Sequence, residues 1–170
     1  MKQVDVIGVQ MDLGASKRGV NMGPAAIRHA DLLGKLGQEG VDWRDKGDII
    51  PLMTGATDPG MKNFEQIVVA NSRLYREVLA SLADGRMPIV LGGDHSIATG
   101  SVPAVRKHYG EIGLIWIDAH GDFNDNGRSE SGNMHGMPFS AVTGFGPAAL
   151  VPYAEAFVNP ARRWHIGARD

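Results

Sequence analysis

Two apolar runs, PIVL at residues 88–91 and IGLIWI at 112–117, proceed without polar alternation. A strand with one wet face alternates apolar and polar residues, whereas an unbroken run fits a strand covered on both faces, as in parallel sheets joined by helical crossovers. The intervening sequence supports that reading. Across residues 63–85, Phe64, Ile67, Val68, Leu74, Tyr75, Val78, Leu79 and Leu82 recur at three- and four-residue steps, so a helix is expected, with Asn63 capping its start and Gly85 its end. VDVIGVQM near the start reads as a further strand, closed by the loop chemistry of DLGASKRGVNMGP. Pro24 suits the first turn of a helix carrying Ala25, Ile27, Leu32, Leu33 and Leu36 and ending at Gly37 and Gly40. Another helix is expected in SIATGSVPAVRKHYG and a last strand in RRWHIGARD. The alternation predicts an α/β protein, a three-layer α/β/α fold with a mainly parallel sheet.

Length and charge narrow the function. A chain of 170 residues, 43% hydrophobic and 21% charged, has the size and composition of one globular domain, taken as residues 1–170. A net charge of -2 supplies no basic field for nucleic acid and no polybasic segment for an anionic membrane. With no cysteine, disulfides and thiolate chemistry are excluded, and any metal must be held by nitrogen or oxygen. The N-terminus lacks the long apolar core of a signal peptide, and no run reaches the ~20 apolar residues of a membrane span, so a cytoplasmic protein is expected.

In open parallel sheets, ligands gather at the carboxyl ends of the strands. Both long apolar runs end there in chemistry-bearing clusters: GGDHS, with His95, and DAHGDFN, with Asp118, His120 and Asp122. The second places oxygen and imidazole donors at alternate positions of the chain. If the strand ran on straight, Asp118 and Asp122 would lie ~13 Å apart, too far to share one ion. The backbone must therefore curl, and Gly121 is the residue expected to make that bend cheap. A solvated acidic loop is the plain alternative. Against it stands the cost of converging carboxylates at the end of a buried strand with no cation to neutralise them. Carboxylate and imidazole donors suit Mn²⁺, Zn²⁺ or Fe²⁺, oxygen-rich sets leaning to Mn²⁺, and paired ions suit hydrolysis.

GGDHS, DAHGDFN and SGNMHGMP, in that order and with GVNMGPAAIR near the start, resemble the arginase branch of the ureohydrolases over essentially the whole chain. The resemblance implies two Mn²⁺ ions and hydrolysis of the guanidino group of L-arginine to L-ornithine and urea. It assigns His95, Asp118 and Asp122 to one ion, and His120 to the other, with Asp118 bridging. His135 is implied as the proton shuttle, with Asp122 also catalytic, and Asn124, Ser131 and Asn133 as the groups holding the substrate's α-carboxylate. A homo-oligomer, trimeric or hexameric, is implied as well. DNGRSE, between Asn124 and Ser131, departs from the family's loop, so agmatine or another guanidino compound is the alternative substrate. Arg128 in that loop is read as solvated, Asp94 as a support for its neighbours, and Trp116 as core.

The family also has a later Asp-x-Asp strand and a later glutamate, which this sequence does not reach. The chain is accordingly expected to be the N-terminal part of an arginase, its last strand left with a bare apolar face. Two further readings stand beside it: a binuclear metallophosphoesterase, echoed in Asp118-x-His120 and Gly132-Asn133, and a non-catalytic subunit that needs a partner's metal ligands.

Overall fold

The computed structural model describes residues 2–53, 60–151 and 157–169. Its strands are β1 (Gln3–Val9), β2 (Asp42–Ile49), β3 (Met87–Leu91), β4 (Leu114–Ile117) and β5 (Arg163–Ile166). Its helices are α1 (Gly23–His29), α2 (Leu32–Gln38), α3 (Phe64–Ala83), α4 (Ala98–Tyr109) and α5 (Pro138–Val142). Among the described residues these strands pair in parallel, as expected, but they form two sheets, one ordered β2-β1-β3 and the other β4-β5.

Apart from Gln3 and Asp5, strand β1 sends apolar residues to both of its faces. Val4 and Val6 face a core completed by Leu32, Leu33 and Leu36, while Ile7 and Val9 face the opposite core with Ile67, Leu74 and Val78. Helices therefore cover both sides of this sheet. Leu74 is fully buried. Trimming it to alanine should destabilise the chain by about 2–5 kcal/mol, read as a lowered midpoint in urea denaturation at constant slope.

The second sheet is covered on one face. Trp116 packs with Ala98, Phe139, Val102 and Leu114, while Ile115, Ile117, Trp164 and Ile166 share the other face and are all exposed. The expected bare apolar face is present, and coverage on both sides does not hold for β4. Strands β3 and β4 are not hydrogen-bonded neighbours, but the loops that follow them meet, with His95 Nδ1 2.8 Å from Asp118 Oδ2.

Strand β2 is absent from the sequence reading because its residues are mostly exposed and charged. It is an edge strand, where charged side chains discourage pairing with other chains. Arg28 bridges Asp45 at 2.8 Å and Asp48 at 2.6 Å, tying that edge to α1. The single helix expected after Pro24 is two helices, broken where Asp31 adopts a left-handed conformation at φ 65°. Helix α3 ends at Gly85 (φ 71°) as its sequence predicts, whereas Asn63 makes no side-chain cap and donates instead to the Leu13 carbonyl at 2.8 Å. Among the described residues, no helix is long and apolar enough to cross a membrane.

Candidate metal centre

Beyond β3, the Asp94 side chain accepts a hydrogen bond from the Ser96 N–H, a turn that presents His95 in front of α4. The His95 ring is stacked on Trp116 of β4, with centroids 4.2 Å apart and planes at 21°. Trp116 is thus core, as read from sequence, and also the wall that fixes the imidazole plane.

Beyond β4, the chain curls as the spacing requires, bending at Ala119 and His120; the left-handed residue that follows is Asp122, not the Gly121 expected to ease the turn. Asp122 has φ 46°, a left-handed conformation uncommon for a non-glycine residue, and Gly121 has no positive φ. What holds Asp122 there is α5: the Asp122 carbonyl accepts the N–H groups of Phe139 at 3.1 Å and Ser140 at 3.2 Å. Backbone strain of this kind persists only where the surroundings over-determine it, and it collects at functional sites.

The outcome is a three-residue cluster. His95, Asp118 and Asp122 each offer a ligand atom, all within 4.8 Å of one another. His95 Nδ1 lies 2.8 Å from Asp118 Oδ2 and 2.8 Å from Asp122 Oδ2. A ring nitrogen carries at most one hydrogen, and the hydrogen bond goes to Asp118, so Asp122 Oδ2 is left buried without one. Two carboxylate oxygens and an imidazole nitrogen converging on one point, one of them orphaned, match the donor set of a divalent cation. The residues fit such an ion.

Electrostatics follow from the same contacts. Burial disfavours the charged form of His95, but Asp122 and then Asp118 outweigh it and raise the imidazole pKa above its ordinary value. Burial would raise the Asp118 pKa; the His120 N–H and the His95 ring hold it below the usual aspartate value instead. A cation bound at this cluster would have to compete with the proton for His95 Nδ1.

His120 stands apart from the cluster. Its side chain is 73% exposed, with Nδ1 3.3 Å from Asp118 Oδ1, the carboxylate oxygen that does not face His95. Asp118 thus presents one oxygen to each histidine.

Next to the cluster lies a cleft of about 490 Å³ lined by His120, Asp122, Asn124, Ser131, Asn133 and His135, so six of the site residues named from sequence share one cavity. Asn133 is largely buried and its Nδ2 donates to Ser16 Oγ at 2.5 Å, which makes it a strut of the wall. Ser129 lines the cleft too. Sequence reading passed it over inside DNGRSE, although a hydroxyl two residues before Ser131 is a usable signal. Arg128 is exposed and paired only loosely with Asp125, at 3.6 Å, as a solvated side chain.

Fold and cluster define a class: a parallel α/β protein whose strand-end loops build an imidazole–carboxylate site suited to a divalent cation. Comparison with known proteins specifies it. The family model "Arginase family" matches residues 2–170. The arginase of Staphylococcus aureus (strain MSSA476) is 45% identical over 99% of this chain and 58% of its own length. The native structure of Bacillus caldovelox arginase superposes with a TM-score of 0.94 at 42% identity, covering 100% of this chain and 59% of that one. Entamoeba histolytica arginase in complex with L-ornithine superposes at 0.87 and 28% identity, over 100% of this chain and 60% of its own. The chain belongs to the arginase family, and it spans about three-fifths of the length of these relatives. The metallophosphoesterase reading is thereby replaced.

Proposed function

We propose that this site serves a binuclear manganese hydrolase that cleaves the guanidino group of L-arginine to give L-ornithine and urea. The observation that carries the reading is the convergence of Asp118 Oδ2 and Asp122 Oδ2 on His95 Nδ1 at 2.8 Å. His95, Asp118 and Asp122 would hold one ion, and His120, with the second Asp118 oxygen, would contribute to another. Bound ions of this kind supply an activated water for attack on an electrophilic carbon.

The chain's own residues have separate tasks. Asp122, buried beside the cleft, would orient the attacking water as a hydrogen-bond acceptor. Asn124 and Ser131 are exposed neutral donors on the cleft wall and would bind the substrate's α-carboxylate without adding charge next to the ions. Asn133, tied to Ser16, would hold that wall in place and offer its remaining polar atom. His135 would give a proton to the departing δ-amino nitrogen, a task for a group of the imidazole type. The Entamoeba relative, in complex with L-ornithine, supports an amino-acid ligand for this fold. A cytoplasmic homo-oligomer, trimer or hexamer, belongs to the same proposal.

The Mn²⁺-loaded protein incubated with L-arginine should release urea, and His120→Ala should lower the rate by at least ~10²-fold, the scale of losing a charge-stabilising group. Urea from agmatine but not from arginine would move the substrate to the decarboxylated analogue. Undiminished turnover in the His120 variant would remove the assignment.

A further inference from the structure

One buried side chain next to the metal centre has no task in the scheme above. Asp94 is 6% exposed and lies outside the three-residue cluster. Its Oδ1 accepts the Ser96 N–H at 3.0 Å, next to His95; its Oδ2 accepts the Gly14 N–H at 2.9 Å; its own N–H donates to the Met11 carbonyl at 2.8 Å. The loop after β1 is therefore fastened to the loop after β3. Two glycines permit the approach. A Cβ on Gly93 would stand 1.7 Å from the Met11 carbonyl oxygen, and one on Gly14 would stand 2.7 Å from Asp94 Oδ1. Gly14 then reaches the far side of the site, because its carbonyl accepts the His135 N–H at 3.1 Å. The path from Asp94 to His135 is two hydrogen bonds through one glycine residue, while the two residues are far apart in sequence.

We propose that Asp94 is a positioning residue that sets, through Gly14, the placement of His135 relative to His95. One carboxylate thereby registers a candidate metal ligand against a candidate proton donor. Its catalytic meaning rests on the metal reading of His95; its structural content does not.

The test uses Asp94→Asn in the 170-residue chain. An asparagine has one acceptor oxygen where two N–H groups need one each, so one of the two fastenings must be lost. The ¹H–¹⁵N spectrum should then show displaced amide resonances for Gly14 and His135. Isothermal titration should show Mn²⁺ affinity reduced by about tenfold, the lower end of outer-shell effects. Asp5→Asn is the control: it breaks an equally buried ion pair elsewhere, lowering the melting temperature while leaving the His135 amide and the Mn²⁺ affinity in place. If Asp94→Asn does not fold, Gly14→Ala, which leaves Asp94 in place, is expected to displace the His135 resonance in the same way. A His135 amide that stays in place, or that moves as far in Asp5→Asn, would overturn the proposal. Absence of Mn²⁺ binding by the unaltered chain would instead remove the metal reading, and the His135 amide would still decide the positioning role.

Discussion

Asp118→Ala is expected to lower the affinity of the chain for Mn²⁺ by more than ~100-fold, beyond the range that outer-shell changes produce. One residue does this because its two oxygens serve different neighbours: Oδ2 meets His95 Nδ1 at 2.8 Å, and Oδ1 meets His120 Nδ1 at 3.3 Å. The variant removes a ligand from the three-residue cluster and the bridge to His120 together. The strand should tolerate the change, since the Asp118 N–H remains bonded to the Ile166 carbonyl at 3.0 Å, while the His120 N–H loses its acceptor, Asp118 Oδ1 at 2.9 Å. Isothermal titration of both proteins checks this. Near-equal affinities would mean that the carboxylate is a solvated loop group.

A comparably large effect lies at the opposite end of the sheet and touches stability. Asp5 on β1 is fully buried, accepting Nε and Nη2 of Arg44 at 2.8 Å each and Nε of the buried Arg86 at 2.7 Å. Arg44 foremost, opposed by burial and aided by Arg86, holds the Asp5 carboxyl well below the usual aspartate range. Replacing it with asparagine takes one carboxylate from the buried Arg86, which keeps Asp42 at 2.9 Å as an ion-pair partner. The expected cost is about 3 kcal/mol, the low end for breaking a buried pair, seen in chemical denaturation. The sign with pH follows from linkage. A depressed folded-state pKa contributes stability that is fully present above the unfolded value of about 3.9 and is lost as pH falls towards the folded value. The unaltered chain should therefore lose stability on acidification below about pH 4 through this site, and Asp5→Asn should lack that component. Equal acid limbs in the two proteins would contradict this account.

How much was legible beforehand depends on whether the signal was local. Helix α3 could be read because its apolar residues repeat on a single face, and β1, β3 and β4 because each carries a short Val/Ile/Leu-rich run, although one face of β4 is exposed. Strand β2 could not, since an edge strand stabilised by Arg28 and Arg44 pairing with aspartates looks like polar loop. The break at Asp31 was hidden by an apolar pattern that continues through it.

At the site, His95, Asp118 and Asp122 were recognisable from residue type and spacing, and the need for a curl followed from strand length alone. The left-handed backbone at Asp122 did not, because Asp122 is held by the N–H groups of α5, a short helix with no clear pattern of its own. The Asp94–Gly14–His135 path is invisible for a similar reason. It joins three loops that the fold stacks together, and no periodicity marks a contact between distant loops.

The bare face of β4–β5, bearing Ile115, Ile117, Trp164 and Ile166, is larger in apolar character than isolated surface residues require. It agrees with the chain's matching about three-fifths of the length of its relatives.

A crystal of the chain grown with excess Mn²⁺ and recorded at the manganese absorption edge puts the core idea to the test. An anomalous peak enclosed by His95 Nδ1, Asp118 Oδ2 and Asp122 Oδ2 is the predicted result. A map with no peak there, and with the imidazole still hydrogen-bonded directly to Asp118, would contradict the view that these side chains converge in order to hold a cation.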